Sequence, residues 1–174
     1  MITLPRIDDK PFIVLIDGRS GAGKTTLANA LGARVPYCSV LHLEDIYPGW
    51  DGLDAAARSL VRDVLEPLRA GRAARFRRWD WEAGSPAEWS IVRPSGTVII
   101  EGAGSLSRAA KRLASFSLWI ELDAGTRKAR ALRRDGAAYA PYWERWAAQE
   151  AKFVAREEPR RLADRIVDAR ALRV

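Results

Sequence analysis

The sequence contains a single cysteine and a single histidine among its 174 residues. Cys38 alone excludes an internal disulfide framework and a cysteine metal cluster, and His42 alone argues against a histidine-based metal site. No apolar stretch approaches the roughly 20 residues that span a bilayer. Residues 1–10 lack the apolar segment of a signal peptide. We therefore expect a cytoplasmic protein without a membrane partner.

The composition is that of one folded domain. Forty-eight per cent of the residues are apolar, and 29 Lys and Arg against 22 Asp and Glu give a net charge of +7. A chain of this length needs only one hydrophobic core, so we predict a single domain over residues 1–174. The positive balance indicates either an anionic partner, meaning nucleic acid or a phosphorylated ligand, or simply a basic solvated surface.

Apolar runs of strand length alternate with helical patterns along the chain. Predicted strands lie at residues 12–16, 39–43, 97–101, 117–122 and 165–168, and helices are predicted between them. Continuous apolar strands that alternate with helices indicate a doubly wound parallel α/β sheet of about five strands, with helices on both faces. Residues 71–89, rich in arginine and tryptophan, are predicted to be irregular.

Acidic residues follow four of these strands: Asp17, Glu44, Asp45, Glu101 and Asp123. Ligands of such sheets bind beyond the carboxyl ends of the strands, so these acids indicate one shared polar site. The alternative is that they only mark boundaries between strand and loop.

Residues 18–25 match G-x-x-x-x-G-K-[ST] in full, between a strand and a helix. Glycines let backbone N–H groups wrap a phosphate, and the following helix presents its positive end to the same anion. The spacing predicts an ATP site with Mg²⁺, in which Lys24 reaches the phosphates, Thr25 holds the metal and Glu101 is a second metal residue. The predicted nucleotide-binding residues are Gly18, Ser20, Gly21, Ala22, Gly23, Lys24, Thr25, Thr26 and Arg130.

Residues 124–134 form a predicted basic helix. Arg127, Arg130 and Arg134 are spaced to lie on one face, where a lid could close over the triphosphate. A solvated face and a nucleic-acid stripe are the alternatives.

Seven tryptophans are present. Trp79 and Trp81 flank Asp80, which suits a flat or sugar-like hydroxylated ligand, although a hydrophobic plug under a loop explains them as well. Trp143 and Trp146, three residues apart on the last long helix, are predicted to pack in the interior.

The order of these motifs resembles the uridine kinase and phosphoribulokinase-like family of small-molecule kinases. The matching segments are residues 16–26, 43–47, 79–81 and 100–102, together with Asp123 and residues 126–130. The chain departs from the family pattern because tryptophans flank Asp80 and no histidine is a clear partner for a pyrimidine base. The resemblance implies a P-loop kinase fold and an acceptor pocket formed by Tyr47, Trp79, Asp80, Trp81 and Glu101.

We therefore predict ATP-dependent phosphoryl transfer to a hydroxyl of a small metabolite, in first place a nucleoside, without nucleic acid as a partner. Either Glu44 or Asp45 is the base, with Glu44 slightly preferred, and Lys24, Arg127 and Arg130 complete the predicted catalytic set. A nucleoside monophosphate kinase, with arginines of residues 72–78 binding the acceptor phosphate, and a nucleotide-dependent switch are the alternatives. Assembly into a homo-oligomer is left open.

Overall fold

The computed structural model describes residues 10–171, so the expectation for residues 1–10 lies almost entirely outside the described part of the chain. A parallel sheet of five strands forms the centre: β1 (Phe12–Asp17), β2 (Cys38–His42), β5 (Thr97–Glu101), β6 (Phe116–Glu121) and β7 (Arg165–Asp168). Their order across the sheet is β2-β5-β1-β6-β7. The two remaining strands, β3 (Ala74–Asp80) and β4 (Ser85–Val92), form a separate hairpin.

Helices cover both faces of this sheet, and two apolar clusters form the core. The α-helices are α1 (Lys24–Gly32), α2 (Leu53–Ser59), α3 (Glu66–Arg69), α4 (Arg108–Lys111), α5 (Ala124–Tyr139), α6 (Trp143–Glu157) and α7 (Pro159–Leu162). A π-helical stretch, Leu60–Leu65, joins α2 to α3. Between residues 10 and 171, no helix has the length and apolar character needed to cross a membrane.

The central strands are buried because they have neighbours on both sides and helices on both faces. Strand β1 pairs in parallel with β5 and β6, and this register places Ile16 beside Glu101 and Asp17 beside Trp119. The carboxyl ends of three strands therefore meet directly beside the phosphate loop. The predicted α/β architecture with about five parallel strands is confirmed.

The prediction of irregular structure over residues 71–89 is wrong, because β3 and most of β4 lie there. In β3, Ala74 and Phe76 are buried while Arg75 and Arg77 are exposed, which is the alternation of a half-buried strand. The high arginine content obscured this two-residue period in the sequence.

Candidate active site

The phosphate loop connects β1 to α1 and has the backbone shape that its glycines allow. Gly21 has φ +80° and Gly23 has φ +98°, a region that residues with a Cβ rarely adopt. A Cβ on Gly21 would lie 2.1 Å from the carbonyl oxygen of Arg127. The loop therefore depends on glycine both for its turn and for its close approach to α5, and this cradle fits a phosphate group.

Beyond the loop, Thr25 and Glu101 meet at the expected metal position. The Thr25 hydroxyl donates to Glu101 Oε1 over 3.0 Å, and His42 Nδ1 lies 2.7 Å from the same oxygen. Burial pushes the pKa of Glu101 up, but the hydrogen bond from His42 and the charge of Lys24 outweigh it, so the pKa lies below its ordinary value. The hydrogen bond to Glu101 raises the pKa of His42.

This pairing keeps Glu101 ionised and beside a hydroxyl. Among the described residues, no group of three or more His, Cys, Asp or Glu side chains could hold a metal by itself. A site of one hydroxyl and one carboxylate is nonetheless suitable for Mg²⁺, which keeps several waters and takes further ligands from substrate phosphates. Thr25 and Glu101 thus fit the metal that the phosphate loop implies.

A cavity of about 390 Å³ opens directly from the phosphate loop. Five aromatic side chains line it, namely Tyr47, Trp50, Trp81, Tyr139 and Trp146. Trp50 stacks on Tyr142 with ring centroids 4.4 Å apart and on Tyr139 at 5.3 Å. Because Lys24 and Thr25 lie in the same cavity, an acceptor held by the aromatic wall would sit beside the phosphates.

The structure separates the two neighbouring acids after β2. They lie in a short 3-10 turn, Leu43–Asp45, rather than at the end of a strand. Glu44 lines the cavity, and desolvation raises the pKa of its carboxyl. Asp45 lies outside that cavity, where its carboxylate accepts two hydrogen bonds from Arg78, at 2.9 and 3.2 Å.

Asp17, at the end of β1, is a buried carboxyl that joins two loops. It accepts hydrogen bonds from the backbone N–H groups of Gly18, Gly104 and Leu106, over 2.6 to 3.1 Å. Burial raises its pKa to about 6 even though these bonds favour the charged form. The side chain thereby ties the start of the phosphate loop to the loop that follows β5.

We expect this raised pKa to make the stabilisation by Asp17 depend on pH. In the native state the Asp17 carboxyl keeps its proton up to a pH of about 6, whereas in the unfolded chain it loses that proton near its ordinary pKa of 3.8. The contribution of Asp17 to the free energy of unfolding should therefore fall as pH rises from about 4 to 6, by roughly 2–3 kcal/mol in total. Urea unfolding of the wild type and of Asp17→Asn across pH 4–8 isolates this effect. A difference between the two proteins that stays constant with pH would contradict it.

The sequence of this chain is similar to those of known kinases. Over 98 residues the chain is 33% identical to nicotinamide riboside kinase 1 from Rattus norvegicus, covering 53% of this chain and 50% of the relative. It is 27% identical to a uridine kinase from Bacillus pumilus over 143 residues, covering 72% and 68%. The chain thus matches about half the length of the first of these relatives. No family model matches it.

Solved structures share the fold over most of the chain. A protein described as a possible uridine kinase from Bacillus stearothermophilus superposes with a TM-score of 0.66 at 20% identity, covering 91% of this chain and 89% of the other. The resemblance to uridine kinase-like P-loop kinases is confirmed. A shikimate kinase from Bacteroides thetaiotaomicron has the same fold, with a TM-score of 0.52 at 14% identity and coverage of 93% and 89%.

Within this kinase fold, the three arginines that the sequence places on one face of α5 have different surroundings. Arg127 is buried and donates to the backbone carbonyls of Leu122 and Ser20, each over 3.1 Å. Arg130 is exposed and lies away from the cavity, whereas Arg134 is a cavity residue. The helix also continues past Arg134 to Tyr139, with a non-helical residue at Gly136. Arg127 is thus held by backbone carbonyls at the phosphate loop, and a lid role for Arg130 and Arg134 stays a prediction.

The predicted acceptor residues divide between two cavities. Tyr47 lines the first cavity, with its hydroxyl donating to the carbonyl of Ala103 over 2.8 Å, and Glu101 and Trp81 lie there too. Trp79 and Asp80 line a second cavity under the hairpin instead. Trp81 is shared by both cavities, as is Glu44.

Asp80 also has a local task in the hairpin. Its Oδ1 accepts the backbone N–H groups of Glu82 and Ala83, each over 2.9 Å, within the turn that joins β3 to β4. A turn aspartate of this kind is a familiar local motif.

Sequence reasoning missed several residues of this site. The sequence predicts interior packing for Trp146, which lines the cavity together with Trp50 and Tyr139. Glu150 was not singled out, yet its buried carboxylate contacts the phosphate loop directly. The available signal was its position on the buried side of α6 together with Trp143, Trp146 and Phe153, because a charged residue within an apolar stripe needs a specific partner.

Proposed function

We propose that the protein transfers the γ-phosphoryl group of ATP to a hydroxyl of a nucleoside. The observation that carries this proposal is the shared cavity, in which Lys24 and Thr25 lie with the Glu44 carboxylate and the aromatic wall. Among the described residues, none donates a hydrogen bond to the Glu44 carboxylate. That group is therefore free to accept one from an acceptor hydroxyl.

The chemistry follows from these positions. The acceptor oxygen forms a bond to the γ-phosphorus as the bond from that phosphorus to its bridging oxygen breaks, and ADP leaves. The hydroxyl proton passes to Glu44, while Lys24 offsets charge on the phosphate oxygens. Mg²⁺, when bound, neutralises further phosphate charge, and Thr25 and Glu101 would hold it.

The aromatic wall supports a nucleoside acceptor. Trp81 and Trp146 supply flat apolar surface beside the loop, and the wall as a whole suits a planar base. The names of two sequence relatives, a nicotinamide riboside kinase and a uridine kinase, also point to nucleosides.

The hairpin arginines give little support to a nucleoside monophosphate acceptor. Arg78 pairs with Asp45 and Glu88, and Arg77 donates to the carbonyl of Ala87 over 2.9 Å. Arg77 lines neither cavity. Arg78 lines the second one, which also reaches Thr25 and Glu44, but its guanidinium is already bonded there to the two carboxylates. An acceptor phosphate would have to break these contacts, so a nucleoside without a phosphate fits better.

The test is ADP release from MgATP by the full chain with a panel of acceptors. The panel contains uridine, cytidine, nicotinamide riboside, their 5′-monophosphates, shikimate and a reaction without acceptor. ADP release that requires a nucleoside is the expected result. Release that requires a monophosphate would replace the proposal with the monophosphate kinase, and equal release without any acceptor would replace it with a nucleotide-dependent switch.

A further inference from the structure

Ser20 in the phosphate loop is held through every polar atom it has. Its backbone N–H and its hydroxyl both donate to Glu150 Oε1, each over 2.7 Å. Its carbonyl accepts from Arg127 over 3.1 Å, and Trp146 Nε1 donates to its hydroxyl oxygen over 3.0 Å. We call Glu150, Arg127 and Trp146 the Ser20 clamp. Two helices, α5 and α6, thus hold one residue of the phosphate loop.

Glu150 is the central member of this clamp. The residue is only 2% exposed, and its second oxygen accepts from Arg19 Nε over 3.1 Å. Arg19 also donates to the carbonyl of Ala147 on the same helix, over 3.0 Å. All hydrogen bonds that the described residues make to the Glu150 carboxylate therefore come from Arg19 and Ser20, which are consecutive in the loop.

We infer that Glu150 is a positioning residue that sets the phosphate loop in its nucleotide-binding shape before nucleotide arrives. A buried carboxylate is costly unless it is paired and hydrogen-bonded, and here every such partner lies in the loop. The Ser20 N–H is directed to Glu150, which fixes the backbone immediately before Gly21. Pre-ordering a loop raises affinity because less freedom is lost on binding. This inference rests on the proposed nucleotide site.

The test compares Glu150→Gln with Glu144→Gln, using MgADP as the ligand. Glu144 lies on the same helix, but its side chain is 80% exposed and pairs only with Lys128 among the described residues. We expect the Kd for MgADP to rise about tenfold in Glu150→Gln, because charged hydrogen bonds are about twice as strong as neutral ones. Glu144→Gln should stay within about twofold of the wild type. Isothermal titration gives the Kd, and the melting temperature of each protein is measured without ligand.

A merely structural glutamate would lower the melting temperature and leave the Kd of the folded protein unchanged. That result for Glu150→Gln would overturn the inference. If Glu150→Gln does not fold, Glu150→Asp takes its place, because it keeps the buried charge but withdraws the carboxylate from Ser20 and Arg19 by one methylene. A Kd for MgADP raised about threefold or more in Glu150→Asp would then support the inference, and an unchanged Kd would overturn it.

The double variant Glu150→Gln/Ser20→Ala, compared with the two single variants, shows whether Glu150 acts through Ser20. Effects of groups in one network are not additive, so the combined change in log Kd should be smaller than the sum of the single changes. Additive effects would overturn the inference. A wild-type protein that binds no MgADP would refute the proposed function itself, which separates the two failures.

Discussion

Replacing Lys24 with alanine should abolish ATP-dependent phosphorylation while the chain still folds. The ammonium group lies in the cavity and donates only to the Arg19 carbonyl, over 3.3 Å, among the described residues. Removal of one such charged group from a developing phosphate charge is expected to lower kcat by about 10²–10³-fold or more. Lys24 is buried and its charge also acts on Glu101, so its removal should cost more than that one long hydrogen bond, about 1–2 kcal/mol of stability. Steady-state ADP release and thermal unfolding measure the two effects.

Lys152→Ala is the matched control for this variant. Lys152 is an exposed residue of α6 outside the cavity, so its removal should leave kcat unchanged. MgADP raises the melting temperature of a protein that binds it, and this shift should persist in Lys152→Ala and shrink in Lys24→Ala. A Lys24→Ala protein with wild-type kcat would show that residues 18–25 do not bind the transferred phosphate.

The second large effect is expected from Glu44→Gln. The amide keeps the size of the side chain but cannot take the acceptor proton, and loss of a general base typically lowers kcat by about 10²–10⁴-fold. Asp45→Asn is its matched partner, because Asp45 faces Arg78 and lies outside the cavity. Its kcat should fall less than about threefold. Both are assayed with saturating ATP and the nucleoside identified by the acceptor panel.

The pH dependence of the same reaction gives an independent readout. Desolvation raises the pKa of Glu44 above its ordinary 4.5. A base must be deprotonated to act, so kcat should fall as pH drops through this raised pKa, and the acidic limb should be absent in Glu44→Gln. A near-normal kcat in both Glu44→Gln and Asp45→Asn would show that the turn Leu43–Asp45 does not supply the general base, and it would refute the proposed mechanism.

The strands and the phosphate loop could be predicted because their signals are local. An apolar run such as residues 97–101 requires burial on both faces, whatever packs against it. In residues 18–25 the glycines, Lys24 and Thr25 are placed by the chain itself, since they lie within one turn and the start of one helix.

The rule that parallel strands end together predicted one shared polar site at the acids that follow the strands, but of these acids only Glu44 and Glu101 line the cavity. Asp17 is buried among backbone N–H groups of the loops, and Asp123 caps α5 by accepting from the Thr126 N–H.

The surroundings of the α5 arginines depend on contacts between distant segments. Spacing alone put Arg127 with Arg130 and Arg134 on a lid, but α5 packs so closely on the loop that Arg127 is buried against Ser20. Nothing in the sequence distinguishes Arg127 from its neighbours. The direction of packing, which involves residues about a hundred positions away, decides which arginine is buried.

By itself, the sequence determined the fold class, the phosphate loop and the two neighbouring acids after β2, one of which we propose as the base. The tertiary structure alone decided that Glu44 faces the cavity while Asp45 pairs with Arg78 from the hairpin. It also brought Glu150 to Ser20, 130 residues earlier in the chain. The physical reason is the separation along the sequence over which each property is set. Backbone conformation and burial follow from neighbouring residues. The partner of a charged side chain depends instead on which distant surfaces pack together and exclude water.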